Sequence, residues 1–172
     1  MTIKLTDAER LILSNQHQIL SYLDKENNAW HLRVADNLRH GHAPLYRNML
    51  DTLQPELDQE TTHFVFEILG LYQTLRDSYN RLENDGTIDD KQLVWPGFDG
   101  NNEPELLTFT RALVEDERYV ELLGESPANS HSHSKAIYGR MLMAWRKLGC
   151  PASPLTREEI KEILAAQYIG GA

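Results

Sequence analysis

The stretch that decides the fold lies at residues 59–82 and reads QETTHFVFEILGLYQTLRDSYNRL. Its large apolar residues recur at intervals of three and four, which is the period of one face of an α-helix. They are Val65, Ile68, Leu69, Tyr72, Leu75, Tyr79 and Leu82. A helix of about 25 residues is roughly 37 Å long, enough to cross a domain. The sequence therefore predicts a long central helix that begins after Asp58.

Similar patterns predict helices on both sides of this central one. Thr6 with Glu9, and Thr156 with Glu159, have the capping-box spacing, in which each side chain bonds the backbone N–H of the other residue. The predicted helices span 6–23, 28–40, 103–123, 137–148 and 156–168, with a shorter one at 45–53. Together they predict an all-α, single-domain bundle of about six or seven helices over residues 1–172, with a flexible tail from about residue 169.

One irregular segment interrupts the helical pattern, between residues 84 and 102. It contains the Trp/Pro/Gly-rich run WPGFDG at 95–100, whose glycines and proline are typical of turns. We interpret Trp95 and Phe98 as aromatic side chains that fill the edge of the core, with ligand contact as the alternative. Asp99 is expected to cap a turn.

Composition favours a cytoplasmic protein. Cys150 is the single cysteine of the 172 residues, so it has no partner for an intrachain disulfide. The N-terminal residues lack the apolar core of a secretion signal, and the apolar runs are far shorter than the roughly 18 residues of a membrane span. These features predict no association with a membrane.

The net charge of −9 is distributed unevenly along the chain. Residues 51–125 carry −13, whereas residues 126–172 carry +3, and no Asp or Glu occurs from 126 to 157. The basic residues can pair with acidic helices of the same molecule or of a second subunit, or they can form a surface for an anionic partner. The second alternative would use Lys135, Arg140, Arg146 and Lys147. The low pI of about 5.2 makes nucleic acid the weaker partner.

Residues suited to metal binding or catalysis are present, but their spacing is not typical of a site. The closest histidine pairs, His40 with His42 and His131 with His133, are two residues apart in predicted loops, unlike the usual zinc-binding spacings. We therefore predict neither a metal nor a cofactor. The acidic run at 115–117 is interpreted as a solvated helix surface.

Polar residues interrupt the apolar pattern of the first helix at Ser14, Asn15 and Gln16. They could hold a substrate, but no His and Asp lie nearby in a nucleophile arrangement. We interpret the three as buried groups that lock helices or subunits together, because buried polar side chains need partners. The apolar residues that share a face of this helix with Gln16 are Ile12, Leu13, Ile19, Leu20 and Leu23.

Four motifs together carry a resemblance to a known family. They are AERLILSNQ at 8–16, GFD at 97–99, ERY at 117–119 and the pattern Y-x-R-M-L-x-x-W at 138–145. In these motifs, and in its closing helix at 155–163, the chain resembles the bacterial YfbU family. The resemblance implies an all-helical cytoplasmic protein that self-associates. It implies no reaction and no catalytic residues, because the family has none assigned.

Two main functional hypotheses follow. The first is a helical interaction or regulatory module that forms homo-oligomers or binds another protein. The second is a hydrolase-like enzyme with a pocket assembled from Ser14, Asn15, Glu117, Tyr119 and Arg140, and a nucleic-acid-linked regulator ranks third. The candidate binding or interface residues are Ser14, Asn15, Gln16, Trp95, Phe98, Asp99, Glu117, Arg118, Tyr119, Tyr138, Arg140 and Trp145.

Overall fold

The structure is a computed structural model that describes residues 4–83, 86–152 and 154–168. Within these ranges the regular elements are eight α-helices and two short 3-10 helices, with no strand, so the predicted all-α class is confirmed. None of the helices in these ranges is long and apolar enough to cross a lipid bilayer. The chain divides into two compact units, Met1–Glu56 and Leu57–Ala172.

The first unit is a helical hairpin followed by a short helical turn. Helices α1 (Asp7–Leu23) and α2 (Asn28–His40) pack side by side, and their bounds agree with the prediction. Thr6 and Glu9 form the predicted capping box at the start of α1. Gly41 ends α2 in the left-handed conformation, at φ 70°, which glycine adopts without steric cost.

The predicted helix at 45–53 is wrong in its bounds. Helix α3 (Ala43–Tyr46) begins earlier, and the 3-10 helix Arg47–Met49 follows it directly. Pro44 lies in the first turn of α3, where its missing N–H costs no helical hydrogen bond. The small core of this unit consists of Val34, Leu38 and Tyr46.

The second unit is built around α4 (Gln59–Tyr79), the predicted central helix. Asp58 caps α4 by accepting a hydrogen bond of 2.6 Å from the backbone N–H of Thr61. Helices α5 (Pro104–Glu115), α6 (Val120–Leu123), α7 (Lys135–Lys147) and α8 (Arg157–Ala165) all contact α4. The 3-10 helix Asp90–Leu93 also packs on it. Helix α4 ends before Leu82, three residues short of the predicted end.

The predicted single helix at 103–123 is wrong, because it is broken after Glu115 into α5 and α6. The backbone N–H of Arg118 bonds the carbonyl of Leu113, and that of Glu117 bonds the carbonyl of Val114. These two bonds are the Schellman pattern that ends a helix. Helix α8 also ends earlier than predicted, at Ala165. The predicted flexible tail from residue 169 lies outside the described residues, and the single domain stays a prediction.

Candidate functional site

The aromatic residues of the irregular loop belong to the core of the second unit. Trp95 and Phe98 are buried, and the Phe98 ring lies 5.4 Å from the rings of both Trp95 and Tyr138 in edge-to-face geometry. The Tyr138 hydroxyl donates a 2.5 Å hydrogen bond to the carbonyl of Gly97. Burial raises the pKa of Tyr138 far above its usual range, so this hydroxyl keeps its proton. These contacts fix the loop in the core, where Trp95 and Phe98 are 3% and 0% exposed.

Asp99 caps the end of this loop, as its position predicts. Its carboxylate accepts hydrogen bonds from the backbone N–H of Asn101 at 3.0 Å and from Nδ2 of Asn102 at 2.6 Å. These hydrogen bonds, that of the Asn102 side chain first, lower the pKa of Asp99. Asp99 is thus part of the loop architecture, and its carboxylate is already committed to the turn.

Glu103 is a buried carboxylate that is absent from the predicted site residues. It accepts hydrogen bonds from the backbone N–H groups of Asp99, Ser134 and Lys135 and from the Ser134 hydroxyl. Burial opposes its ionisation, but these hydrogen bonds, that of the Ser134 side chain foremost, outweigh burial and lower the pKa of Glu103. The carboxylate thereby joins the loop to the first turn of α7. The only sequence signal was an acid directly before Pro104.

The basic residues of the acid-free stretch contact the second unit itself. Arg140 donates from Nε and Nη2 to the carbonyls of Ala166 and Gln167 and so caps the end of α8. Arg146 forms a 2.7 Å ion pair with Glu67 of α4. Trp145 donates to the carbonyl of Pro151 at 3.1 Å, which fixes the end of α7. Arg140 and Arg146 are therefore engaged within the unit, and Nζ of Lys135 lies 5.8 Å from the centre of the Phe64 ring.

A cleft of about 720 Å³ contains the ERY motif. One wall comes from the C-terminal half of α4, and residues 117–122 form the other. Arg76 donates to the carbonyl of Glu121 at 2.8 Å, and the Arg118 guanidinium lies 5.0 Å from the centre of the Phe66 ring. Of the proposed hydrolase-like pocket, Glu117 and Tyr119 line this cleft, whereas Arg140 does not.

Backbone strain accompanies this cleft. Glu117 and Tyr119 both have φ 58°, in the left-handed region that costs a non-glycine residue roughly 1–2 kcal/mol. Such outliers often occur at functional sites, where the surrounding structure compensates their cost. The cleft is therefore the candidate small-molecule site of the second unit.

Replacing Glu117 with Gly should relieve this strain and raise the free energy of unfolding by about 1 kcal/mol. The matched control is Arg111→Gly, at an exposed position inside α5, where glycine should lower the stability by about 1 kcal/mol. Urea unfolding followed by circular dichroism measures both. Equal destabilisation by the two substitutions would show that Glu117 is not strained.

The three polar residues of α1, Ser14, Asn15 and Gln16, lie in different environments. Ser14 is buried, donates to the carbonyl of Ala35 at 2.9 Å and accepts from Nε of Arg39 at 3.0 Å. Asn15 accepts from Nη2 of Arg39 at 3.2 Å but is exposed, as is Gln16. Ser14 is therefore buried as interpreted, whereas Asn15 and Gln16 are not buried within one chain. Asn15 still links α1 to Arg39 of α2, and a contact of Gln16 between subunits stays a prediction.

Helix α1 is inverted relative to ordinary amphipathic packing. The buried residues of α1 are polar: Ser14, His17 and Ser21. The side chains of Ile12, Ile19 and Leu23, which the sequence places on one face, are 57%, 60% and 74% exposed. Further exposed apolar residues of the hairpin are Leu11, Leu20, Tyr22, Trp30 and Leu32. We call the residues Ile12, Gln16, Ile19 and Leu23 the outer seam of α1.

A pair of histidines lies between the two helices of the hairpin. Nδ1 of His17 is 2.9 Å from Nδ1 of His31, and both residues are buried. Trp30 packs edge-on against both rings, and Oδ2 of Asp24 lies 3.5 Å from Nε2 of His31. The two histidines are 14 residues apart, unlike the pairs two residues apart that the sequence suggested. In the described residues, no group of three or more potential metal-ligating side chains occurs.

Comparison with known protein families shows to which family the chain is related. The sequence model of the YfbU domain matches residues 3–166. The matched range includes the outer seam of α1, the irregular loop and the cleft at 117–122. Because the match covers nearly the whole chain, the protein belongs to the YfbU family.

Proposed function

We propose that the protein is a cytoplasmic helical interaction module that self-associates through the outer seam of α1. The observation that carries this proposal is the inverted packing of α1, which buries serine and histidine while isoleucine and leucine face outward. Exposed apolar area costs about 25 cal/mol per Å², and contiguous exposed patches mark interaction sites in soluble proteins. The seam therefore has the character of a surface that a partner covers.

The chemistry of the seam favours a second copy of the chain as this partner. Its residues follow one another at spacings of four, three and four, which is the a/d pattern of helices that pair in coiled coils. Residues 11–23 contain no Asp, Glu, Lys or Arg, so two copies of α1 can approach without repulsion between like charges. Gln16 provides the single polar seam position, a type of residue that fixes alignment between paired helices.

Light scattering after size-exclusion chromatography tests the proposal. Wild-type protein should have at least twice the mass of the 19.8 kDa chain, whereas the double variant Ile12→Lys/Ile19→Lys should be monomeric. Two buried lysines in each copy cannot be paired in a seam that carries no acidic residue. The matched control is Val94→Lys, at an exposed apolar residue of the second unit, which should keep the wild-type mass.

Two outcomes would contradict the proposal. Wild-type protein that is monomeric would exclude the second copy. Equal loss of assembly in the Val94→Lys control would place the contact elsewhere.

A hydrolase-like activity at the cleft is the second candidate, favoured by the strained backbone of Glu117 and Tyr119. In this alternative the Glu117 carboxylate acts as the general base and the Tyr119 hydroxyl orients the substrate. A substrate screen on wild-type protein, repeated with Glu117→Gln and Tyr119→Phe, tests it. Turnover that both variants retain in full would exclude this site.

A further inference from the structure

Resting on the proposed self-association, we infer that the contact between His17 and His31 is a pH-sensitive latch for the hairpin that presents the outer seam. Protonation of both imidazoles opens the latch and weakens the assembly.

The short distance between the two imidazole rings limits the number of protons that the histidine pair can hold. At 2.9 Å between the two Nδ1 atoms, one nitrogen must donate a hydrogen and the other must accept it. When both rings are protonated, each Nδ1 carries a hydrogen and the contact becomes one between two donors of like charge. The closed latch thus tolerates one proton beyond the neutral pair, and a second proton breaks it.

Of the two imidazole rings, only that of His31 has a carboxylate nearby to compensate a positive charge. Asp24, in the turn between α1 and α2, faces Nε2 of His31. On the side of His17, the neighbouring ring is that of Trp30, and residues 11–23 of its own helix carry no Asp, Glu, Lys or Arg. In the described part of the chain, no carboxylate pairs with His17. A charge on His17 is therefore uncompensated.

The sign of the pH dependence follows from this arrangement. Burial, followed by the neighbouring His31, lowers the pKa of His17 below its ordinary value of 6.5. A group whose pKa is lower in the folded state stabilises the fold above its unfolded pKa, and that stability is lost as the pH falls through the folded pKa. The hairpin is thus stable above about pH 6.5 and weakens below it.

Opening of the latch weakens the support of the seam, which then rests on the remaining contacts of α1 with α2, such as the hydrogen bonds of Ser14. Helix α1 has 17 residues, and an isolated helix of that length is marginal in water, so α1 depends on its packing against α2. The latch lies on the same stretch of α1 as Ile19, two residues away in sequence. Weakening of the hairpin therefore destabilises the ordered helical face on which the seam depends.

Sedimentation equilibrium of the full chain between about pH 8 and pH 5 tests the latch. The dissociation constant of wild-type protein should rise at least about tenfold between pH 7.5 and 5.5, since each chain takes up a proton on opening. His17→Asn should make the dissociation constant nearly independent of pH, because its amide oxygen can accept from His31 but does not titrate. His40→Asn, at an exposed histidine of α2, should keep the wild-type dependence.

The possible outcomes distinguish failure of the latch from failure of the self-association on which it rests. A pH-independent assembly of wild-type protein, or an unchanged pH dependence in His17→Asn, would overturn the latch and leave the self-association intact. A wild-type protein that is monomeric at every pH would overturn both. If His17→Asn has lost helical circular dichroism at pH 7.5, His17→Gln provides a second non-titrating acceptor.

Discussion

Replacing Phe98 with Ala should lower the free energy of unfolding by about 3–5 kcal/mol. The ring is fully buried between Trp95 and Tyr138, with Phe64 at 6.4 Å, so its removal leaves a cavity that these rings cannot fill without leaving their edge-to-face geometry. The loop backbone would also lose a support next to the hydrogen bond from Tyr138 to Gly97. Urea unfolding followed by tryptophan fluorescence and by circular dichroism measures the loss.

The matched control for this substitution is Val94→Ala, in the same loop. Val94 is 66% exposed, so truncation should change the stability by no more than about 0.5 kcal/mol. If Phe98→Ala and Val94→Ala changed the free energy of unfolding equally within that margin, the loop would not be part of the core. Coinciding transitions from the two probes would further show that the protein unfolds in one cooperative transition.

The helices could be predicted from the sequence because local signals and packing agree over most of the chain. Five of the predicted apolar positions of α4 are buried, Tyr79 is half-buried, and both capping boxes form. The break between α5 and α6 could not be predicted, because Glu117 holds the left-handed position at which a helix usually ends with glycine. The apolar pattern continues across this break, and only the backbone reveals it.

The candidate sites were less predictable, because they depend on pairs of residues from different elements. The GFD and ERY motifs indicated important segments, but the wall that α4 adds to the cleft has no sequence signal. His17 and His31 are 14 residues apart, and their contact depends on the register of α1 against α2. The spacing of Ile12, Ile19 and Leu23 predicted a shared face. It did not reveal that this face points outward.

The second large effect is expected at Glu103, whose replacement by Ala should lower the free energy of unfolding by about 3 kcal/mol. Hydrogen bonds to a charged group contribute roughly 1.5–3 kcal/mol each, and the substitution leaves buried N–H groups of Asp99 and Ser134 without their acceptor. Glu105→Ala, at an exposed carboxylate two residues further along the first turn of α5, should change the stability by no more than about 0.5 kcal/mol. Chemical denaturation at neutral pH measures the free energy of unfolding of both variants.

Acid titration separates the charge of Glu103 from its shape. Since its pKa is lower in the folded state than the ordinary value of 4.5, its contribution is present above that value and is lost as the pH falls through the folded pKa. Glu103→Gln keeps the shape but does not titrate, so its stability should depend less on pH in this range than that of wild-type protein. Parallel pH profiles of the two proteins would show that Glu103 holds the loop and α7 without using its charge. A shallower profile in the variant would identify the ionised carboxylate as the group that joins them.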